Sequence, residues 1–367
     1  MSTETPTTTS EGAPPEGESV GYEGRRRRAP KSRPEDEGFD ASAPLLEVRD
    51  LQVEFRTRDG VSRAVNGASF SVAEGETLGI LGESGCGKSV TAQAIMGILD
   101  SPPAHIAGGR VILRGVDLLS LPEETRRKVR ADRIAMVFQD ALSALNPVFS
   151  VGWQLSELHR RHRGYGKQEA KKESIRLLDL VGIPGAADRV NDYPHQFSGG
   201  MRQRVMIAMS LALDPDVLIA DEPTTALDVT VQAQIMQLLA DLQAERNMGL
   251  ILITHDMGVV ADVADKICVM YAGRIVERAD VHSIYANPAH PYTKALLESI
   301  PRIDLKGQQL ASIEGLPPIL TRLPPGCSFN PRCAYAQERC THDEPPLYDV
   351  DGARQSACHY WEKVLAR

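Results

Sequence analysis

Residues 82–89 read Gly-Glu-Ser-Gly-Cys-Gly-Lys-Ser, which puts three glycines, a lysine and a hydroxyl into eight positions. Gly85 and Gly87 allow backbone N–H groups to converge on an anion, Lys88 can neutralise its oxygens, and the Ser89 hydroxyl can ligate a divalent cation. That set suits the β and γ phosphates of a nucleoside triphosphate with Mg²⁺. Cys86 reads as a filler of the loop and not as a nucleophile. Two carboxylates, Asp221 and Glu222, stand side by side at the end of the apolar run "DVLIADEP", and Gln139 and His255 end "RIAMVFQD" and "GLILITHD" in the same manner. A second glycine pair, Gly199 and Gly200, follows Ser198 in "QFSGGMRQR" directly ahead of an apolar-periodic stretch. This is a helix start able to bind phosphate. The chain therefore offers two anion sites and one full phosphate loop, and the second site needs an anion held elsewhere.

The positioning elements follow from the flanking residues. Thr77–Leu81 predicts a buried strand that turns at Gly82, and "VTAQAIMGIL" continues at helical period, the order a phosphate loop requires. If the runs ending at Gln139, Asp221 and His255 are also strands of an open parallel sheet, their carboxyl ends share one edge. Lys88, Gln139, Asp221, Glu222 and His255 then meet in a single site. Adjacent side chains on a strand point to opposite faces, so Asp221 and Glu222 are expected to divide the work. One would hold the Mg²⁺ shell and the other would polarise a water for in-line attack on the γ-phosphate. Between Gln139 and Ser198, "ALSALNPVFSVGWQLSELHRR" and "ESIRLLDLVGI" have helical periodicity.

In this order the motifs closely resemble the nucleotide-binding subunits of ABC transporters. Residues 82–89 are similar to the Walker A loop, and the resemblance places Gly82, Glu83, Ser84, Gly85, Cys86, Gly87, Lys88, Ser89 and Val90 around ATP. Gln139 is similar to the Q-loop glutamine and joins Ser89 on Mg²⁺; Ser198, Gly199 and Gly200 resemble the family signature. Asp221 and Glu222 resemble Walker B with its catalytic glutamate, Thr224–Asp228 the D-loop, and His255 the switch histidine, so Glu222, His255 and Gln139 are the implied catalytic set. Phe55, in "LQVEF", is the best match for the aromatic that stacks on adenine. The implied fold is an α/β P-loop NTPase, an ABC ATPase domain over 44–280 with an α-helical subdomain at about 140–205. In that family two such domains pack head to tail, and each signature closes over the ATP held by the other, which supplies the anion that Ser198 lacks. The sequence departs from the usual signature at both ends, with Phe197 for Leu and Met201 for Gln.

A small cysteine-bearing extension, residues 281–367, follows the ATPase core. Cys327, Cys333, Cys340 and Cys358 are separated by five, six and seventeen residues. In a reducing compartment such clustering points to metal before disulfides. Four thiolates fit Zn²⁺ or a [4Fe–4S] cluster, and the lack of paired C-x₂-C knuckles favours iron–sulfur; four packed thiols are the plain alternative. "HPYT" and the cysteine segment resemble the C-terminal region of the oligopeptide/dipeptide importer branch. That likeness implies a second, nonidentical ATPase subunit as heterodimer partner, two transmembrane permeases and an extracytoplasmic substrate-binding protein. Nickel or another solute is the alternative cargo.

Composition limits the remaining classes. With 367 residues, 42% of them hydrophobic, and no apolar run long enough to span a bilayer, the chain reads as a cytosolic globular protein, and the resemblance implies a place at the cytoplasmic face of the cell membrane. A net charge of −8 argues against nucleic acid as partner. Residues 1–43, with few large apolar side chains and the basic run Arg25–Arg33, are expected to be a disordered arm. A non-transport ABC ATPase would carry a long coiled-coil insertion or two ATPase units, and neither occurs here.

Overall fold

The computed structural model describes residues 38–58, 60–140, 144–225, 227–300 and 313–366. The Arg25–Arg33 run lies outside them. Two sheets form among the described residues. The first is antiparallel and built from β1 (Leu46–Thr57), β2 (Gly60–Val72), β4 (Ala104–Leu113) and β5 (Val116–Asp117), in the order β2-β1-β4-β5. The second contains β3 (Thr77–Leu81), β6 (Ile134–Val137), β7 (Val217–Asp221), β8 (Gly249–Thr254), β9 (Lys266–Tyr271), β10 (Arg274–Asp280), β11 (Tyr348–Asp349) and β12 (Gln355–Ser356). Its order is β11-β12-β10-β9-β3-β8-β7-β6, and the stretch from β9 to β6 is parallel throughout.

Every residue of β3, β7 and β8 is buried, which is why these strands read as unbroken apolar runs. Successive side chains feed two cores. Leu78, Ile80, Ile219 and Ile253 pack with Val48, Phe70 and Val111 of the antiparallel sheet. Leu218, Ala220, Leu252 and Val269 pack with Leu155, Leu177, Ile207 and Leu239 from helices on the opposite face. These belong to α2 (Val151–His162), α3 (Lys167–Leu180), α4 (Gly199–Ser210) and α5 (Val229–Arg246), while α1 (Lys88–Met96) follows β3.

The helical segment is broken between Ala144, which is helical, and Val151. Asn146 and Pro147 interrupt the run, and α2 starts only at Val151, capped by Ser150 whose Oγ accepts the Trp153 N–H at 3.3 Å. Proline lacks the donor a helix interior needs and biases the residue before it towards extended backbone. The buried Gln154 amide ties the interrupted stretch down by accepting from Asn146 N–H and donating to the Asn146 and Phe149 carbonyls, each at 3.0 Å.

The extension is stitched to the sheet through β10. β12 pairs with it at Glu277 and Arg278, and β11 pairs with β12. The Glu277 carboxylate is fully buried and accepts the N–H groups of Ala289 (2.6 Å) and His290 (3.0 Å), fixing the turn that leads into α6 (Pro291–Glu298). Burial pushes Glu277 from its ordinary 4.5 up to about 7. A raised folded-state value means stability that is complete below about pH 4.5 and is lost as the pH rises towards 7. Urea midpoints across that window should fall for the wild type relative to Glu277→Gln, which has nothing to titrate there. Parallel pH profiles for the two proteins would rule the assignment out.

Candidate nucleotide site

The carboxyl ends of β3, β8, β7 and β6 lie side by side, and a cavity of about 760 Å³ opens beyond them. That is ample for a nucleotide. It is lined by Gly82, Glu83, Ser84, Gly85, Gly87, Lys88, Ser89 and Val90 from the loop, by Gln139, Glu222 and His255 from the neighbouring strand ends, and by Phe55 from β1. Leu296 and Leu320, from the extension, also line it. Sequence reading did not find these two, because an isolated leucine carries no motif.

The loop has its shape because glycine alone fits it. Gly82 adopts φ +152° and Gly87 φ +108°, and a Cβ would meet the Met270 carbonyl oxygen at 2.2 Å in the first case and that of Ala64 at 2.2 Å in the second. Gly87 is the N-cap of α1 and offers no side chain to the first-turn N–H groups, which are left for an anion. The Lys88 ammonium is buried and donates to the carbonyls of Gly82 (2.7 Å) and Glu83 (3.0 Å). Cys86 is tucked beneath the loop, where burial raises its thiol, in keeping with a filler.

Asp221 and Glu222 do part company, although not by the strand alternation expected. β7 ends at Asp221, and Glu222 turns into the left-handed region with φ 45°, its N–H donating to the Ile253 carbonyl at 2.8 Å. Asp221 stays buried and its Oδ1 accepts from Ser89 Oγ at 3.0 Å. Burial raises its carboxyl above the ordinary range, against the Ser89 hydrogen bond and the Lys88 charge. A hydroxyl and a buried carboxylate are hard oxygen donors suited to Mg²⁺. Glu222 instead gathers its neighbours: Gln139 Nε2 and Thr225 Oγ1 each donate to Oε2 at 2.9 Å, and His255 Nδ1 lies 3.3 Å from Oε1. The ends of β6, β7 and β8 are thus joined at one carboxylate.

Ser198, Gly199 and Gly200 do not line this cavity. Ser198 caps α4 with its Oγ accepting the Met201 N–H at 3.3 Å, and Phe197 is buried in the helical core as an apolar anchor. The four clustered cysteines do converge, for Cys327, Cys333, Cys340 and Cys358 line one small cavity together with His290, Phe329 and Tyr360. Burial raises the thiols of Cys327, Cys333 and Cys358, the last two to about 11 and about 12. The expectation of Zn²⁺ or a [4Fe–4S] cluster is met in donor type only. Among the described residues no group of three or more His, Cys, Asp or Glu is placed to hold a metal ion.

Comparison with known proteins bears on the whole chain. Residues 65–225 match the ABC transporter family and residues 276–340 the oligopeptide/dipeptide transporter C-terminal region. The chain is 52% identical over 314 residues to the oligopeptide transport ATP-binding protein OppD of Salmonella typhimurium, covering 86% of this chain and 93% of that one. It is 50% identical over 301 residues to the dipeptide transport ATP-binding protein DppD of Bacillus subtilis, covering 82% and 90%. Among solved structures, the dimeric ATP-binding cassette MJ0796 bound to ADP and Pi matches with a TM-score of 0.58 and 26% identity, over 65% of this chain and 99% of that one. The structure of cbiO1 from Clostridium perfringens, part of the ABC transporter complex cbiONQ, matches with a TM-score of 0.57 and 30% identity, over 66% and 91%.

The loop geometry makes a direct prediction. Gly87→Ala forces a Cβ against the Ala64 carbonyl at a left-handed φ and should cost about 2 kcal/mol or more of stability. A shifted denaturant midpoint, with loss of nucleotide binding, is the expected result; an unshifted one would mean that the loop tolerates a side chain.

Proposed function

The chain belongs to the ABC transporter ATP-binding family and hydrolyses ATP, and from that premise we propose that it powers the import of oligopeptides or dipeptides. Support for the cargo comes from the likeness to OppD and DppD over more than four fifths of the chain and from the match of residues 276–340. ATP sits in the cavity with its triphosphate on the loop N–H groups and Lys88, and its adenine against Phe55. Ser89, Asp221 and Gln139 would hold Mg²⁺, which would supply positive charge to offset that of the triphosphate. Glu222 takes the proton of the attacking water, and His255 and Gln139 fix the carboxylate that does so.

Catalysis needs two subunits in this reading. Ser198 and the start of α4 close over ATP held by a second ATPase subunit, a nonidentical paralogue, whose own signature closes the cavity described above. The dimeric state of the MJ0796 cassette favours such a pairing. Permeases dock on the helical segment, where Val148, Phe149 and Trp153 remain exposed and the two rings stack at 4.0 Å, an apolar patch beside α2. No helix among the described residues is long and apolar enough to cross a membrane, so the permeases supply the spans. A substrate-binding protein delivers cargo to them from outside, which puts this chain on the cytoplasmic face.

The observation that carries the mechanism is the Glu222 carboxylate, joined to three strand ends at the mouth of the cavity. Glu222→Gln should retain ATP affinity and lose turnover by about 100-fold or more, the range of a lost general base. Brisk hydrolysis by that variant would remove Glu222 from the role. On donor type alone the cysteine quartet would take up a soft metal, a [4Fe–4S] cluster ahead of Zn²⁺, and only by closing further than the arrangement described above, in which no group is placed to hold an ion. Iron, sulfide and zinc analysis with an absorbance spectrum, on protein purified without oxygen, tests this; four free thiols and no metal would refute it.

A further inference from the structure

Among the described residues, the carboxy-terminal extension hydrogen-bonds the phosphate loop at Glu83. The Arg332 guanidinium grips its carboxylate with two bonds, Nη1 to Oε2 at 2.6 Å and Nη2 to Oε1 at 2.9 Å. The same guanidinium is itself fixed, because Nε donates to the Glu314 carbonyl at 3.0 Å and the group lies over the rings of Tyr271 and Phe329. Its side chain is 5% exposed and that of Glu83 25%. A paired, largely buried fork of this kind is strong and directional. On the backbone, the Glu83 N–H donates to Tyr292 Oη at 2.8 Å, so it faces the extension. The Glu83 carbonyl accepts from Lys88 Nζ at 3.0 Å and from the Cys86 N–H at 3.3 Å.

We infer that Arg332 and Tyr292 are positioning residues of the nucleotide site, which hold Glu83 and through its carbonyl set the Lys88 ammonium where it meets phosphate. They lie 249 and 209 residues along the chain from the glutamate they hold. The inference rests on the ATP-site reading above. It also connects the cysteine cavity to the phosphate loop, because Phe329 and Cys333, the neighbour of Arg332, both line that cavity. Phe329 packs in turn on Tyr271 and Tyr292, with ring centroids 5.2 and 5.3 Å away.

The test uses the full chain with a fluorescent ATP analogue for binding, and the assembled transporter for KM and kcat. Arg332→Ala and Glu83→Ala are each expected to raise Kd and KM for ATP about 10-fold, as loss of a charge-assisted pair would, with kcat changed much less. The double variant should be no worse than either single one, since both remove the same contact. Arg332→Lys, which keeps the charge but not the fork, should recover part of the affinity. If Arg332→Ala fails to fold, Glu83→Ala decides, because it leaves the extension intact. Unchanged Kd and KM in Glu83→Ala, or strictly additive losses in the double variant, would overturn the inference. Lys88→Ala separates the two failures: if it abolishes binding while the Arg332 and Glu83 variants are neutral, only the positioning role falls; if Lys88→Ala is itself neutral, the ATP-site reading falls with it.

Discussion

A buried lysine ammonium must be solvated largely by the protein, and the site is organised around that requirement at Lys88. Its partners are two carbonyls of its own loop, Gly82 and Glu83, and a loop that bends back to present them needs backbone angles open to glycine. The strand before the loop is buried on both faces, and the helix after it has no side-chain cap, which leaves its first-turn N–H groups for an anion. With two ammonium donors on the Gly82 and Glu83 carbonyls and only the Cys86 Sγ, 4.0 Å away, near the third, that donor can turn to an entering phosphate. The phosphate adds an acceptor to a charge already in place, which is the preorganisation that catalysis of phosphoryl transfer depends on.

The second organising contact is Glu222. Parallel neighbours β6, β7 and β8 each lead within two residues of their ends to a polar residue of the site, and the left-handed turn at Glu222 swings its carboxylate to where Gln139, Thr225 and His255 can reach it. Asp221, one residue earlier, remains in the strand and bonds Ser89. Two adjacent acids therefore occupy different surroundings, one enclosed beside a hydroxyl and the other at the cavity mouth. Because the Gln139 and His255 contacts converge on one carboxylate, movement of either strand end bears directly on the group assigned to proton transfer.

The extension adds a third hold on the same site. Pairing of β12 with β10, the buried Glu277 turn and the aromatic cluster of Tyr271, Tyr292 and Phe329 bring α6 and the cysteine segment against the phosphate loop. Tyr271 ends β9, the strand beside β3, so the cluster sits where the sheet itself emits the loop. An element that begins as an appendage in the linear order is thus packed onto the catalytic edge.

By itself the sequence determined the loop, the strand-end residues and the family, because glycine positions, apolar runs and short motifs are local and each carries its own steric or electrostatic reason. It placed Lys88, Gln139, Asp221, Glu222 and His255 at one edge; Lys88, Gln139, Glu222 and His255 line one cavity there, and Asp221 bonds Ser89 of that lining. Other features depended on contacts that no local pattern encodes. The division between Asp221 and Glu222 comes from a turn and not from strand alternation, Asn146 and Pro147 break the helical run before Val151, and Leu296 and Leu320 enter the nucleotide cavity from the extension. The bond between Arg332 and Glu83 spans 249 residues, and neither residue type announces it. Only when the chain folds back through β10 and β12 do the two charges come within reach, for a salt bridge is a property of distance in space and the sequence records distance only along the chain.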